Sequence, residues 1–171
     1  MPQRADTIDL ARIAPAPGDG QRLDLDIVPG ELQYGEEAYA VEGETTTARL
    51  DVSRTAAGFA LHLRFAAQIG GSCVRCLEPA QARVEVDALE VEQPESNDEE
   101  LRSPYVEADE LDVRRWAHDA LALAMPAQFL CRPDCLGLCP VCGASLNDVD
   151  PADHQHARAP DPRWDKLREL K

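Results

Sequence analysis

The six cysteines of this 171-residue chain are Cys73, Cys76, Cys131, Cys135, Cys139 and Cys142, and four of them crowd into one stretch, CRPDCLGLCPVCGASLN, Cys131 to Asn147. Two spacings are Cys-x-x-Cys: CVRC and CPVC. Two thiolates two residues apart can clasp one tetrahedral ion from a tight turn. In CPVCG, Pro140 stiffens the turn, and Gly143 is free to take a positive φ that turns backbone amides toward sulfur. That is the form of a zinc knuckle. CVRCLEP lacks the glycine, so a redox pair at Cys73 and Cys76 stays open as an alternative. Its context argues against it, because a thioredoxin-like pair opens a helix in a βαβ unit and strand patterns flank this one. The N-terminal MPQRADTIDLARIAPAPGDG has no apolar core of a secretion signal, and no apolar run approaches the ~18 residues of a membrane span, so the expectation is a cytoplasmic protein without membrane contact. In a reducing compartment such thiols bind metal more often than they form disulfides.

A closed zinc site takes four ligands, and the chain offers two more. In DHQH, His154 and His156 stand at i and i+2, which point the same way in an extended segment. Eight ligands make two closed tetrahedral sites. The favoured partition sets Cys73 and Cys76 with Cys131 and Cys135, stapling a strand-rich half to the segment that follows it. Cys139 and Cys142 then pair with His154 and His156 in a local ribbon. The rival puts Cys131, Cys135, Cys139 and Cys142 on one ion and frees CVRC, at the cost of a contorted loop. A closed site leaves no position for water, so either arrangement is structural rather than catalytic.

The elements that must hold these ligands can be read from periodicity. TIDLARI, Thr7 to Ile13, reads as a short helix capped by Thr7 and stopped by APAPGDG. RLDLDIV and ARLDVSR alternate apolar and polar residues as strands do. FALHLRF places Phe59, Leu61, Leu63 and Phe65 on one face and His62 on the other. ARVEVDALEVE, with Val84, Val86 and Val91 among its apolar positions, is another strand. DELDVRRWAHDALALAM reads as a helix with Asp109 as N-cap and acids in its first turn. It carries a core stripe of Val113, Trp116, Ala117, Ala120 and Ala124, with His118 turned to solvent. The expected fold is α+β: a small, mostly antiparallel sheet or partial barrel, then a helix and a C-terminal zinc-ribbon-like module. The expected organisation is an N-terminal extension (1–20), a strand-rich domain holding CVRC (21–93), an acidic loop (94–108), and the helix with the cysteine and histidine module (109–171).

The net charge is −15 and unevenly spread. From Glu85 to Asp112, twelve acids stand against one base, Arg102, a local net of −11. A basic footprint of the kind that grips nucleic acid is missing. Such a run is a solvated loop or a docking surface for a basic partner. The sequence carries no glycine-rich phosphate loop, nucleophile elbow or evident acid–base pair, and so gives no argument for an enzyme.

GSCVRCLEP, the acidic stretch leading into ELDV and a helix, CRPDCLGLCPVCGASLN, and the closing DPRWDKLREL follow one another in an order that resembles the YceD family, the large ribosomal RNA subunit accumulation proteins. The resemblance spans about residues 20 to 171. It implies a role in ribosome biogenesis and accumulation of large-subunit rRNA, with a ribosomal protein or assembly factor of the large subunit as partner. Many members carry Cys-x-Cys where this chain has His154 and His156. That substitution keeps two zinc-competent ligands, but a histidine-containing site is expected to release metal more readily as pH falls. Net charge gives no support to direct rRNA contact. Arg114 and Arg115, and Arg163, Lys166 and Arg168, are the basic clusters available for it, and equally serve as solubilising charges.

Overall fold

A computed structural model describes residues 3–4, 6–150, 154 and 156. In chain order the elements are β1 (Gln3–Arg4), β2 (Thr7–Asp9), α1 (Leu10–Ile13), β3 (Gly20–Ile27), β4 (Leu32–Tyr34), β5 (Glu37–Val41), β6 (Thr46–Arg54), β7 (Phe59–Ser72), β8 (Pro79–Glu92), a 3-10 turn at Glu99–Leu101, β9 (Val106–Glu107), β10 (Glu110–Asp112) and α2 (Val113–Ala124). The spine is the β7–β8 hairpin, antiparallel from Phe59↔Glu92 to Ser72↔Pro79. The other edge of β7 is shared. β6 pairs with its first half, from Arg54↔Phe59 to Ala48↔Phe65, and β5 pairs further along at Ile69 and Gly70. β3 continues from β6 and β4 from β5. β1 adds a parallel edge to β3. Among the described residues the sheet is open: β1, β4 and β8 are its ends and no strand joins them. The partial barrel considered above is therefore not formed.

Strand alternation supplies one buried face. Leu25 and Ile27, Leu50 and Val52, Phe59, Leu61 and Leu63, and Val84 and Val86 all point into one core. Helix α2 closes it with Val113, Trp116, Ala117, Ala120 and Leu121. Ala124 is only half-buried, and Leu121, outside the expected stripe, is fully covered.

The N-terminal reading needs correction. Thr7–Asp9 is a strand, and the helix that follows is a single turn capped by the Asp9 carboxylate, which accepts from the Arg12 N–H at 2.9 Å. β2 pairs antiparallel with β10, which also pairs with β9 in a small second sheet. This pairing explains why α2 starts later than its sequence suggests. The backbone of Glu110–Asp112 is committed to strand partners, with Leu111 fully buried. The N-cap is Asp112, accepting from the Arg115 N–H, and no acid lies in the first helical turn. His118 is half-buried rather than solvent-facing, and its Nδ1 donates to the Pro29 carbonyl at 2.9 Å because the loop after β3 folds over the helix. His62 lies on the outer sheet face as expected, with Nε2 2.6 Å from Asp87. Among the described residues no helix is long and apolar enough to cross a membrane.

Candidate metal centres

CVRC is the tip of the β7–β8 hairpin. Cys73 follows the last residue of β7. Its N–H donates to the Glu78 carbonyl and its carbonyl accepts from the Leu77 N–H, which closes a tight turn with Leu77 in the left-handed region. The segment after α2 is pinned against this tip. The buried Phe129 ring packs edge-on against Tyr39, and the Phe129 carbonyl accepts from the Val74 N–H. Arg75 makes the second fastening. Its guanidinium donates to the Cys135 carbonyl and to the Gln128 side chain, each at 2.9 Å, while its own carbonyl accepts from the Leu138 N–H. Gly137 passes so close that a Cβ there would stand 3.0 Å from the Arg75 carbonyl oxygen, at a φ of +78°. Only glycine meets both demands without strain.

These fastenings bring Cys73, Cys76, Cys131 and Cys135 together, with all four sulfur atoms within 4.8 Å of one another. Cys73 lies 3.8 Å from Cys135, and Cys76 lies 3.5 Å from Cys131. A disulfide needs about 2.05 Å. Tetrahedral sulfur at ~2.3 Å from a zinc ion puts neighbouring sulfurs about 3.8 Å apart, so the spacing fits an ion and not a bond. The electrostatics agree. Burial opposes ionisation of Cys73, but N–H groups of Cys76 and Arg75 aimed at its sulfur outweigh it and bring the thiol down to about 6. Burial, then the thiols of Cys76, Cys135 and Cys73, push Cys131 up to about 12. Four sulfurs this close, three of them buried, cannot all be anionic side by side. A divalent cation held by the four would remove that conflict.

The second grouping is Cys139, Cys142, His154 and His156, also within 4.8 Å. The knuckle forms as its sequence suggests. The Gly143 N–H donates to the Cys139 carbonyl, the Cys139 N–H to the Ala144 carbonyl, and the Val141 N–H points at the Cys139 sulfur from 3.4 Å. Gly143 has a φ of +75°. A bridge between Leu138 and Ser145 makes the minimal ribbon. His154 Nε2 lies 3.5 Å from the Cys142 sulfur and 3.0 Å from His156 Nε2, with the two rings edge-to-face. The imidazole of His154, followed by the N–H groups of Cys142 and Val141, brings the Cys139 thiol down to about 6. This centre is more open than the first, with Cys142 and His156 exposed.

The eight candidate ligands stand in these two groupings, and Cys131 and Cys135 are not brought together with Cys139 and Cys142. Two supporting residues escaped sequence reasoning. Asn147 donates from Nδ2 to the Cys135 sulfur at 3.5 Å and accepts the Leu136 N–H at 2.8 Å, so it links ribbon to first centre. Arg75 sits between two ligands and would pass for a surface charge. Of the basic clusters, Arg115 donates to the Pro104 carbonyl and lies over the Tyr105 ring. Arg163, Lys166 and Arg168 fall outside the described residues.

A family model described as large ribosomal RNA subunit accumulation protein YceD matches residues 61–171. An uncharacterized protein of Mycobacterium tuberculosis strain H37Rv is 34% identical over 170 residues, covering 96% of this chain and 80% of the relative. One of Mycobacterium bovis matches equally well, at 34% over 170 residues. An uncharacterized protein of Mycobacterium leprae is 35% identical over 103 residues, 57% of this chain and 46% of the relative. No solved structure gives a significant match.

Proposed function

The chain belongs to the YceD family of large ribosomal RNA subunit accumulation proteins, and from that premise we propose that it is a non-enzymatic factor in large-subunit biogenesis whose fold is held by two structural zinc ions. The observation that carries the reading is the pair of four-ligand groupings. Each supplies four protein donors to one ion and leaves no open position for a water or substrate, which is the composition of a structural zinc site. Cys73, Cys76, Cys131 and Cys135 hold the first ion, and Cys139, Cys142, His154 and His156 the second. The first fixes the hairpin tip to the segment after α2, and the second gives shape to a ribbon with almost no apolar core of its own. The partner is a basic ribosomal protein or another assembly factor of the large subunit, in the cytoplasm. With a net charge of −15, broad contact with rRNA is disfavoured. Depletion of the protein is expected to lower the large-subunit RNA relative to the small. Unchanged subunit ratios on a sucrose gradient would remove the proposal.

One observation favours a second reading, a thiol redox or metal-delivery protein using Cys73 and Cys76: the lowered Cys73 thiol. A thiolate is the reactive form. Against it stands access, since both thiols are buried under the Phe129 segment. Alkylation rates separate the two. With metal bound, Cys73 and Cys76 are expected to react slowly, and to react fast only after chelation. Rapid modification of the metal-loaded protein would favour the redox reading.

A further inference from the structure

β8 is one end of the large sheet. It pairs with β7 along its whole length and with no other strand. Among the described residues, Ala80 to Val91 make no backbone hydrogen bond beyond those to β7. The free edge therefore runs from Ala80 to Val91 within the strand, about 40 Å at ~3.3 Å per residue. A row of unpaired N–H and C=O groups is a template for another strand, and proteins blunt it with charged side chains, proline or a bulge. After Pro79 this strand has neither proline nor bulge, and its charge decides which strand it can accept. It has acids: Glu85, Asp87, Glu90 and Glu92 against Arg83.

The two faces divide these acids. Glu92 turns inward and accepts the Ser103 N–H at 2.7 Å, and Glu90 is half-buried beside it. The outer face reads acid, acid, apolar, apolar. Glu85 and Asp87 point to solvent, the first 3.4 Å from Arg83 and the second 2.6 Å from His62. Leu89 is 72% exposed and Val91 38%. Farther in, Asp51 lies between Arg22 and Arg64, and Asp24 faces Arg49; Glu85 and Asp87 also have one partner each, but their side chains stay 77% and 71% exposed at the free edge. A second copy added to this edge would set acidic rows side by side, which is unfavourable across strands. An oppositely charged segment meets the same row favourably.

We infer that the outer edge of β8 takes an extended basic segment of a protein partner as an added strand, with cations against Glu85 and Asp87 and apolar side chains against Leu89 and Val91. This deepens the assembly-factor reading and rests on it for the nature of the partner. Main-chain pairing supplies affinity and the outer face supplies selection.

The test uses the full metal-loaded chain and the peptide Thr-Lys-Thr-Lys-Thr-Val-Thr-Val, together with its reverse sequence. One of the two should slow amide exchange at alternate residues from Ala80 to Val91. N-methylation of alternate peptide amides keeps the charge and removes the donors, and should weaken binding by about tenfold or more. Glu85→Lys with Asp87→Lys, both on exposed positions, should weaken it by about tenfold while leaving the exchange pattern of the core unchanged. Equal binding of the methylated peptide would reduce the contact to charge attraction and overturn the inference. So would protection outside β8, self-association of the chain through β8, or slowing of the same amides by an RNA oligomer in place of the peptide. Failure of the peptide while depletion still lowers large-subunit RNA overturns the edge assignment alone. Binding with no effect of depletion keeps the edge and removes the ribosomal reading.

Discussion

Cys76→Ser is expected to strip one of two metal ions and to unfasten the β7–β8 tip from the segment after α2, with the ribbon left intact. Serine is nearly the size of cysteine but does not ionise to a soft ligand, so the change removes a donor with little change of packing. Structural zinc contributes on the order of 10 kcal/mol to folding in small metal-dependent modules. Here the sheet has its own core, so the loss should appear as local opening rather than global unfolding. The amides to watch are those of Val74 and Leu138, which donate across the junction to Phe129 and Arg75. Their hydrogen exchange should accelerate by orders of magnitude in Cys76→Ser. Cys139→Ser should do the converse. It should expose the amides of Cys139 and Gly143, which close the knuckle, and leave Val74 protected. The same amides responding to both variants would mean that the two groupings are one cooperative site.

Trp116→Ala should cost about 3–5 kcal/mol, the usual range for emptying a large buried aromatic site. Trp116 is 2% exposed in the face of α2 that covers the sheet, and its ring stacks on Tyr105 at 6.2 Å. Tyr105 is held in turn by Asp119 on the same helix. Losing the indole therefore opens a cavity and frees the strand-forming segment around Val106 from the helix. Urea denaturation of the metal-loaded protein measures the cost. A loss below about 1 kcal/mol would show that the site collapses or that the helix is not what closes the core.

Much of this arrangement was legible beforehand, for reasons particular to each part. Phe59 to Phe65 alternate so strictly that only one face could be buried. The end of the same strand was harder to see, because AAQIGGS has two glycines and hides the inward turn of Ala67 and Ile69. Val91 shares the apolar character of Val84 and Val86, but its odd position puts it on the opposite face, where it is exposed. The start of α2 is ambiguous in the sequence because Asp109 and Asp112 are both good caps. What decides between them is the pairing of Glu110–Asp112 with Thr7–Asp9, a contact about a hundred residues apart in sequence that no local signal carries. For the same reason the burial of Leu10 and Ala14, in what read as an extension, came only from the fold. The candidate ligands were the most legible feature, since thiols and imidazoles at fixed short spacings have few other uses. Asn147 and Arg75 were not, because an amide or guanidinium near sulfur acquires its role only when distant segments meet.

The central claim is two structural metal centres with separate ligand sets, and elemental analysis of purified, untagged full-length protein tests it most directly. Two zinc ions per chain are expected, falling to one in Cys76→Ser, to one in Cys139→Ser, and to none in the double variant. One zinc per chain, unaffected by changing Cys76, would contradict the account and favour a single centre built from Cys131, Cys135, Cys139 and Cys142.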